Sequence, residues 1–411
     1  MKRKKYKTGL GVVVFFLIFG LQCHAQDVGF TEGEGQHTPG TLYAQSAVLM
    51  DGSLGRVLYE KNGEEFLANA STTKILTCIL ALENAEVSEV VTVSSYAASM
   101  PDVQLHIREG EKYYLGDLLY SLMLESHNDV AVAIAEHISG SQEEFSRLMN
   151  QKAKEIGCDN TTFLTPNGLD ATSKTKEISH GTTARDLALM MRYCIKVSPK
   201  RDYFIKITQT PTYSFQNLEG TRTFLCRNHN AFLNMMEGVI SGKTGFTGKA
   251  GYCYVGALER DGKCYIVALL ACGWPGNKTY KWKDCRRLME YGLREYESFE
   301  LKALEDTYKQ EMSAEIKDAK GAYIGDSITI DLRREEHAIQ QILLKKGENV
   351  EVKVRKKELA APIYPGEDVG VVEYYIQGEK WLEEEVYCDR QIEKIDFKWC
   401  LLKIFQKMVK I

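Results

Sequence analysis

The chain has 411 residues, of which 44% are hydrophobic, enough to form one large and one small folded domain. Its net charge of −4 argues against a nucleic-acid partner, because phosphate backbones are bound by clustered positive charge. The eight histidines are scattered, and no C-x-x-C or H-E-x-x-H spacing occurs, so we expect no metal site.

The first 25 residues predict an export signal. Basic residues precede an apolar run at 10–21, and residues 23–25 offer a cleavage site that ends in a small residue. The segment carries no Asp or Glu, so its removal leaves a more acidic mature chain. The alternative is a retained membrane anchor, although the run is short for a bilayer span. In either case most of the chain lies outside the cytoplasm, and residues 26–40 form a short linker.

The domain at 41–299 is predicted to be α+β, with strands at both ends and helices between them. The predicted elements are strands at 44–50 and 56–60, a helix at 75–82, a helical stretch at 114–138 broken at 126–128, a helix at 184–195, strands at 250–258 and 264–272, and a helix at 281–297. The strands from the two ends are expected to share one antiparallel sheet.

Residues 300–390 predict a small β-sandwich-like domain. Short alternating strands are expected at 327–332, 350–354 and 370–375, with turns between them. No chemical motif occurs in this part of the chain. We therefore interpret it as a spacer.

Residues 391–411 predict an amphipathic helix. At 100° per residue its lysines and Asp396 fall in one narrow arc, while apolar side chains cover most of the remaining circumference. Such a helix suits a membrane surface rather than a membrane span. The alternative is a helix docked on the core of the protein itself.

The eleven cysteines are spread without the spacing of a disulfide framework. Cys253, Cys264 and Cys272 lie in apolar, strand-like runs, where free cysteine behaves as a small hydrophobic residue. We expect mostly reduced thiols, with at least one disulfide as the alternative.

The first chemical motif is the S-x-x-K sequence at 71–74, which opens an apolar helix. A spacing of three places both side chains on one helix face, so the Lys74 amine can reach the Ser71 hydroxyl. A serine becomes a nucleophile when a base takes its proton. Lys74 serves as that base if burial and nearby Lys243 disfavour its ammonium form. The helix N-terminus adds positive potential where an oxyanion would form.

The second motif, Ser126-His127-Asn128, lies in the break between two helical stretches. Ser126 and Asn128 occupy alternate positions of a short extended turn, so both side chains can face one cleft. We predict that Ser126 relays a proton between Lys74 and the leaving amine, and that Asn128 holds the substrate's amide. The alternative is capping of the following helix, to which Ser, Asn and Asp129 are all suited.

The third motif, Lys243-Thr244-Gly245, is predicted to lie on an edge strand to which a peptide can add as a further strand. Alternation sends Lys243 and Gly245 to one face, where Gly245 leaves room for the substrate backbone. The cation and the hydroxyls of Thr244 and Thr247 suit a terminal carboxylate. The alternative is a turn with a solvated lysine.

These motifs occur in one order, each in a suitable local context. A second S-x-x-K at 173–176 and a second K-T-G at 7–9 lack that context. Together the three motifs supply a nucleophile, a proton relay and an anion-binding strand. This is the equipment of an acyl-transfer enzyme that works through a serine ester.

The chain resembles the low-molecular-mass penicillin-binding proteins, and among them the D-alanyl-D-alanine carboxypeptidases. The segments that carry the resemblance are ASTTKILT at 70–77, NGLD at 167–170, ARDLALM at 184–190 and KTGFTGKAGYC at 243–253. The small β domain and the C-terminal helix follow the same layout, so the resemblance covers nearly the whole mature chain. It implies a β-lactamase/transpeptidase-like fold.

The resemblance implies that Ser71 is acylated by the penultimate D-alanine of a peptidoglycan stem pentapeptide, with release of the last D-alanine and hydrolysis of the ester by water. It implies an oxyanion hole formed by the backbone N–H groups of Ser71 and Phe246, and a carboxylate contact from Arg227. β-Lactams are expected to acylate Ser71, and no cofactor is implied. The protein is expected at the outer face of the cytoplasmic membrane, held by its C-terminal helix.

His127 departs from the family pattern, in which the middle residue of the second motif is usually glycine. Its side chain either faces away from the cleft or lines it and imposes a pH dependence near neutrality. Rival functions remain open: a β-lactamase, a transpeptidase or endopeptidase, and a catalytically idle wall-binding protein. A β-lactamase needs a dedicated carboxylate for fast deacylation, and no recognisable motif places one.

Overall fold

The computed structural model describes residues 38–173, 178–321, 327–334 and 341–409. The predicted export signal at 1–25, the second K-T-G at 7–9 and most of the linker at 26–40 lie outside these residues. So do Lys174–Lys176 of the second S-x-x-K and the last two residues of the chain.

The N-terminal part of the described chain alternates short strands with helices. Its elements are β1 (Ser46–Asp51), β2 (Val57–Lys61), α1 (Lys74–Asn84), β3 (Val90–Thr92), α2 (Ser95–Ala98), β4 (Lys112–Tyr114), α3 (Leu115–Leu124), α4 (Asn128–Ser139), α5 (Gln142–Ile156), α6 (Ala184–Arg192), α7 (Arg201–Gln209), β5 (Thr212–Gln216), β6 (Thr223–Arg227), β7 (Val239–Thr247), β8 (Gly251–Arg260), β9 (Lys263–Leu270) and α8 (Tyr280–Glu295). A π-helical turn at Tyr193–Val197 extends α6, and 3₁₀ turns lie at Ala70–Thr73 and Ala231–Asn234.

The C-terminal part is rich in strands. Its elements are β10 (Tyr296–Glu300), α9 (Glu305–Tyr308), β11 (Ser313–Ile316), β12 (Ile328–Asp331), β13 (Arg333–Arg334), β14 (Gln341–Lys345), β15 (Val350–Lys356), β16 (Asp368–Ile376), β17 (Glu379–Tyr387) and α10 (Phe397–Val409), with 3₁₀ turns at Leu301–Leu304 and Lys309–Glu311. The predicted mixture of helix and sheet, with a small β-rich region and a C-terminal helix, is confirmed.

The central sheet has five antiparallel strands in the order β2-β1-β9-β8-β7. Strands from the two ends of the domain are therefore neighbours, as predicted. Strand β7 carries the K-T-G motif and forms one edge. An edge strand leaves backbone N–H and C=O groups free for an added strand.

Strand β9 is buried on both faces of this sheet. Ile266, Ala268 and Leu270 pack into a core formed with the helices that precede β7, whereas the alternate side chains Tyr265 and Val267 pack into a second core with α8. A strand covered on both faces has a nearly continuous apolar sequence, which explains the run at 264–270.

Helix α8 ends earlier than its sequence predicts. The expected helix at 281–297 stops at Glu295, because Tyr296–Glu300 forms strand β10 and pairs with β14. The domain boundary predicted at 299 therefore falls inside a strand that is paired with the C-terminal part of the chain.

A buried ion pair joins the β1–β2 hairpin to the C-terminal β region. Both terminal nitrogens of the Arg56 guanidinium donate to Glu348, and Nη1 also donates to Leu343 O at 3.2 Å. The two charged side chains are only 9% and 6% exposed. Asp51 adds a contact by accepting a hydrogen bond from Leu343 N at 3.3 Å. The junction is thus held by both strand pairing and a bidentate charge pair.

Helix α10 has no buried residue. Its exposed apolar side chains are Phe397, Leu401, Leu402, Ile404, Phe405, Met408 and Val409. In the portions of the chain described here, no helix is both long and apolar enough to cross a bilayer. The alternative of a helix docked on the protein core does not fit this exposure.

All ten cysteines in the described residues are free thiols, and nine of them are buried. Burial raises the pKa of Cys253 and Cys264 to about 12, so these thiols stay protonated and act as small apolar side chains. Within the described ranges, no cluster of His, Cys, Asp and Glu could hold a metal ion.

Candidate active site

Ser71 and Lys74 meet where a 3₁₀ turn runs into helix α1. Lys74 Nζ lies 2.9 Å from Ser71 Oγ, 2.9 Å from Asn128 Oδ1 and 2.6 Å from the Asn167 carbonyl oxygen. A neutral amine has two hydrogens and one lone pair. Since the two carbonyl oxygens can only accept hydrogen bonds, they take both hydrogens and leave the lone pair facing the Ser71 hydroxyl.

Lys74 is completely buried, and the described residues hold no carboxylate within ion-pair distance of it. Burial lowers the pKa of Lys74 well below its ordinary value. The positive charge of Lys243 lowers it further, and Asp129 opposes both effects. Burial and the Lys243 charge thus both favour the neutral form that a general base requires.

Ser126 lies between helices α3 and α4 with a φ of +72°. The predicted extended turn is therefore wrong: Ser126 adopts a left-handed conformation, which is uncommon for a residue with a side chain. Its Oγ is buried and has no hydrogen-bond partner among the residues that the structure describes. A buried hydroxyl without a partner is free to bond to a bound molecule, and strained backbone of this kind is concentrated at functional sites.

Asn128 is the first residue of α4, and its side-chain amide is fully engaged. Its Oδ1 accepts from Lys74, and its Nδ2 donates to the carbonyl oxygens of Pro101 and Asp102 at 3.2 and 3.0 Å. These contacts differ from helix capping, and the bond from Asn128 to a substrate amide stays a prediction. In this structure Asn128 orients the lysine.

The His127 side chain packs against helix α3. Its Nδ1 lies 2.7 Å from Ser121 Oγ, and the side chain is buried. Burial lowers the pKa of His127 to about 4, although Asp129 and Glu125 act in the opposite direction. Of the two expectations, the geometry fits the first, a side chain turned away from the cleft and neutral near pH 7.

Lys243 lies on edge strand β7, and its side chain is buried. Burial lowers the pKa of Lys243 to about 7, against the opposing charge of Glu125. Its Nζ donates to Thr244 O at 3.1 Å. The alternative of a solvated lysine in a turn is wrong for this residue.

Gly245 brings strand β7 against the nucleophile. A Cβ at this position would lie 3.0 Å from both Ser71 N and Asn69 O. The small residue therefore makes room for the backbone of the protein itself, and the approach of the substrate backbone stays a prediction. Strand β7 thus packs against the 3₁₀ turn that carries Ser71, and the oxyanion hole of Ser71 N–H and Phe246 N–H stays a prediction.

Thr247 and Phe246 lie at the end of β7. Thr247 Oγ1 donates to Asp170 at 3.2 Å and accepts from Ala250 N at 3.0 Å. The Phe246 ring is exposed and packs on Tyr252, with ring centroids 4.7 Å apart. The K-T-G strand is thereby tied to the N-G-L-D loop.

Arg227 ends strand β6, and its side chain is exposed. Its backbone N–H donates to Glu125 at 2.7 Å, and His229 bonds to the same carboxylate at 2.6 Å. Because Glu125 directly precedes Ser126, this contact brings the Arg227 segment to the second motif. Sequence reasoning missed both Glu125 and the Asn167 carbonyl, the latter because a backbone group leaves no residue-type signal.

Two family models match the chain. Residues 33–272 match the model described as D-alanyl-D-alanine carboxypeptidase, and residues 337–394 match the model described as penicillin-binding protein 5, C-terminal domain. D-alanyl-D-alanine carboxypeptidase DacF of Bacillus subtilis (strain 168) is 32% identical over 407 residues, covering 96% of each chain.

The chain is also similar to solved structures of penicillin-binding proteins. Penicillin binding protein 5 from Haemophilus influenzae is 25% identical with a TM-score of 0.66, covering 87% of this chain and 99% of that one. Penicillin-binding protein D2 from Listeria monocytogenes in its ampicillin-bound form is 28% identical with a TM-score of 0.53, covering 62% of this chain and 98% of that one.

Proposed function

Because the chain belongs to the peptidase S11 family of D-alanyl-D-alanine carboxypeptidases, we propose that Ser71, Lys74 and Ser126 carry out its reaction. The protein is a serine-type D-alanyl-D-alanine carboxypeptidase and a low-molecular-mass penicillin-binding protein, and β-lactams acylate it. One observation carries the residue assignment: Lys74 Nζ lies 2.9 Å from Ser71 Oγ while two carbonyl oxygens take its hydrogens.

Acylation begins when Lys74 takes the Ser71 proton and Oγ attacks the carbonyl carbon of the penultimate D-alanine. The backbone N–H groups of Ser71 and Phe246 stabilise the oxyanion. The C–N bond then breaks. Ser126 passes the proton from Lys74 to the departing amine, so that free D-alanine leaves and an ester remains on Ser71.

Deacylation repeats these steps with water as the nucleophile. Lys74 takes a proton from the water while its oxygen attacks the ester carbonyl. The bond to Ser71 Oγ then breaks, and that oxygen recovers a proton from Lys74. The stem peptide leaves as a carboxylic acid, shortened by one residue, and ionises in solvent.

Substrate binding is assigned to edge strand β7 and the groups around it. We propose that the peptide adds to β7 and that its terminal carboxylate is bound by Lys243, Thr244, Thr247 and Arg227. A bound carboxylate favours the ammonium form of Lys243, and a buried ammonium attracts an anion more strongly than a solvated one does. Asn128 contributes indirectly, by holding Lys74.

The test uses purified protein and a pentapeptide ending in D-Ala-D-Ala, analysed by mass spectrometry. We expect the loss of one alanine from the peptide and covalent labelling of the protein by a fluorescent penicillin. Both signals should vanish in Ser71→Ala. The matched control is Ser173→Ala, which alters the other S-x-x-K serine and should retain both. Labelling that survives in Ser71→Ala would contradict the assignment.

We also propose a division of the chain by role. Residues 1–25 are an export signal and 26–40 a linker, 41–299 form the catalytic domain, and 300–390 form a spacer. Residues 391–411 hold the protein on the outer face of the cytoplasmic membrane. The exposed apolar side chains of α10 support this last role, because a short helix of this kind lies in the interface rather than across it.

Flotation with vesicles of phosphatidylglycerol and phosphatidylethanolamine tests the membrane role. The full mature chain should float with the vesicles, and Phe405→Glu should weaken binding by at least tenfold, because a charge would enter the acyl region. Gln406→Glu adds the same charge at the neighbouring position and serves as the control. Equal weakening by both substitutions would contradict insertion of this helix face.

A further inference from the structure

His180 is a buried side chain that joins two segments of the active site. It lies between the loop that supplies the Asn167 carbonyl and the turn that carries the nucleophile. Its Nδ1 lies 3.0 Å from Leu164 N and 3.4 Å from Thr165 N, and its Nε2 lies 3.0 Å from Thr73 Oγ1. The ring is 2% exposed, so it bonds to the protein on both sides and does not face solvent.

The hydrogen bonds determine the protonation state of the ring. Two backbone N–H groups point at Nδ1, which must therefore be the unprotonated acceptor, and Nε2 carries the hydrogen and donates it to Thr73. The Thr73 hydroxyl gives its own hydrogen to Ala70 O at 2.8 Å and accepts from Asn69 Nδ2 at 3.0 Å, which leaves one lone pair for His180. Burial and the charge of Lys74 lower the pKa of His180 to about 4.

The two segments that His180 connects are those that form the Lys74–Asn167 contact. Thr73 directly precedes Lys74, and Thr165 lies two residues before Asn167. A second bond between the segments runs from Thr77 Oγ1 to Pro166 O at 2.6 Å. Gly168 shows how closely they approach, because a Cβ there would lie 2.0 Å from Ala70 O.

We propose that His180 is a positioning residue that holds the Asn167 carbonyl against Lys74, so that the neutral amine keeps its lone pair on Ser71. This inference rests on the proposed function. The ring touches neither Ser71 Oγ nor a substrate, since both of its nitrogens are bonded within the protein. It acts through the lysine. Without it the loop can withdraw, and a hydrogen on Nζ can then turn toward Ser71 and block proton transfer.

Penicillin acylation kinetics test the proposal by separating the dissociation constant of the initial complex from the acylation rate constant. His180→Ala should lower the rate constant at least tenfold and change the dissociation constant by less than threefold, because Lys243 and Thr244 lie on another element. His180→Gln retains an N–H that can reach Thr73 and should recover most of the rate. A crystal structure of His180→Ala should show the Nζ to Asn167 O distance longer than 3.5 Å.

Phe145→Leu is the control, because Phe145 is buried in α5 and its ring makes no hydrogen bond. It should lower the melting temperature without lowering the rate constant. A wild-type acylation rate constant in His180→Ala overturns the proposal. So does a loss of rate that is proportional to the loss of melting temperature in His180→Ala, His180→Gln and Phe145→Leu alike. If His180→Ala does not fold, the acylation rate constants of His180→Gln and His180→Asn are compared instead. Equal rate constants in these two variants overturn the proposal. Failure of the wild type to label would instead contradict the proposed function.

Discussion

Two regions of this protein bury positive charge, and they do so in opposite ways. At the junction, the Arg56 guanidinium is paired with Glu348 through two hydrogen bonds. In the active site, Lys74 and Lys243 are buried with no ion-paired carboxylate among the described residues. A paired buried charge stays ionised and joins elements, whereas an unpaired one is pushed toward its neutral form and becomes available for proton transfer.

The pKa values show the same contrast. Burial alone would raise the pKa of Glu348, but hydrogen bonds from Arg56 and from Lys345 N bring it below its ordinary value. For Lys243 the charge of Glu125 only partly opposes the effect of burial, and the pKa of Lys243 falls to about 7. Burial by itself therefore does not identify a catalytic lysine. Neither does the absence of a counter-charge, since within the described residues Lys243 also lacks one, and the contact with Ser71 Oγ is what singles out Lys74.

The largest expected effect is the loss of acylation in Lys74→Arg. An arginine stays protonated and cannot accept the Ser71 proton, so the penicillin acylation rate should fall by about 10³-fold or more. Lys74→Met should show a similar loss for the same reason. The control is Lys152→Arg, which changes a lysine paired with Glu83 and should stay within twofold of the wild type. A Lys74→Arg enzyme with more than a tenth of the wild-type rate would refute the base assignment.

Breaking the junction pair should affect stability rather than catalysis. Arg56→Ala leaves Glu348 buried and unpaired, which should lower the free energy of unfolding by about 3–5 kcal/mol, measured by urea denaturation. The double variant Arg56→Met with Glu348→Leu should be near neutral. Arg333→Ala removes an exposed pair and should cost less than about 1 kcal/mol. A change in acylation rate below the unfolding transition would contradict the separation of the two regions.

Lys243→Met should lower kcat/KM by about 10²-fold, because the substrate carboxylate loses its cation. The same change should stabilise the fold. Between pH 7 and the ordinary lysine pKa, the unfolded chain binds a proton at this residue and the folded chain does not, so wild-type stability rises with pH in this window. The melting temperature gained by the variant should therefore be larger at pH 6 than at pH 9.

Lys249→Met provides the comparison, since Lys249 is an exposed lysine near the end of the same strand. Its melting temperature should differ from that of the wild type by the same amount at both pH values. A gain in Lys243→Met that does not depend on pH would mean that burial of the charge is not the cause.

The smallest effect is expected for His127→Gly. Because the pKa of His127 is about 4, the ring is neutral throughout pH 5–8, and the pH profile of acylation should keep its shape. Some stability should be lost with the buried ring and its bond to Ser121. A shift of more than half a pH unit in either limb of the profile would indicate that His127 lines the cleft.

Local signals were enough to predict much of the fold and of the site. The spacing of Ser71 and Lys74 predicted their contact, and alternation predicted an edge strand for Lys243. Helix α5 was missed although Ser141 caps its N-terminus and its buried residues Phe145, Met149 and Ala153 recur at helical spacing. Strand β17 was missed because its sequence is dominated by acidic residues, and tertiary packing outweighs local propensity there.

The remaining features depend on contacts between segments distant in sequence. The left-handed Ser126 and the close approach of Gly245 to Ser71 exist only once the helices and the sheet have packed together. The Asn167 carbonyl is a backbone group, and its hydrogen bond with Lys74 depends entirely on the path of its loop. Motif spacing predicts which side chains react. It does not predict which backbone groups orient those side chains.

The pairing of β1 with β9 also constrains how the chain folds. Asp51 is opposite Tyr265 in this pair, so β1, which pairs with β2 on one side, gains its second partner only after the intervening helices and the β7–β8 hairpin have been made. Contacts so distant along the chain form slowly. Until then one edge of β1, whose residues are all buried in the finished protein, stays unpaired, and unpaired apolar strands of this kind are where newly made chains aggregate.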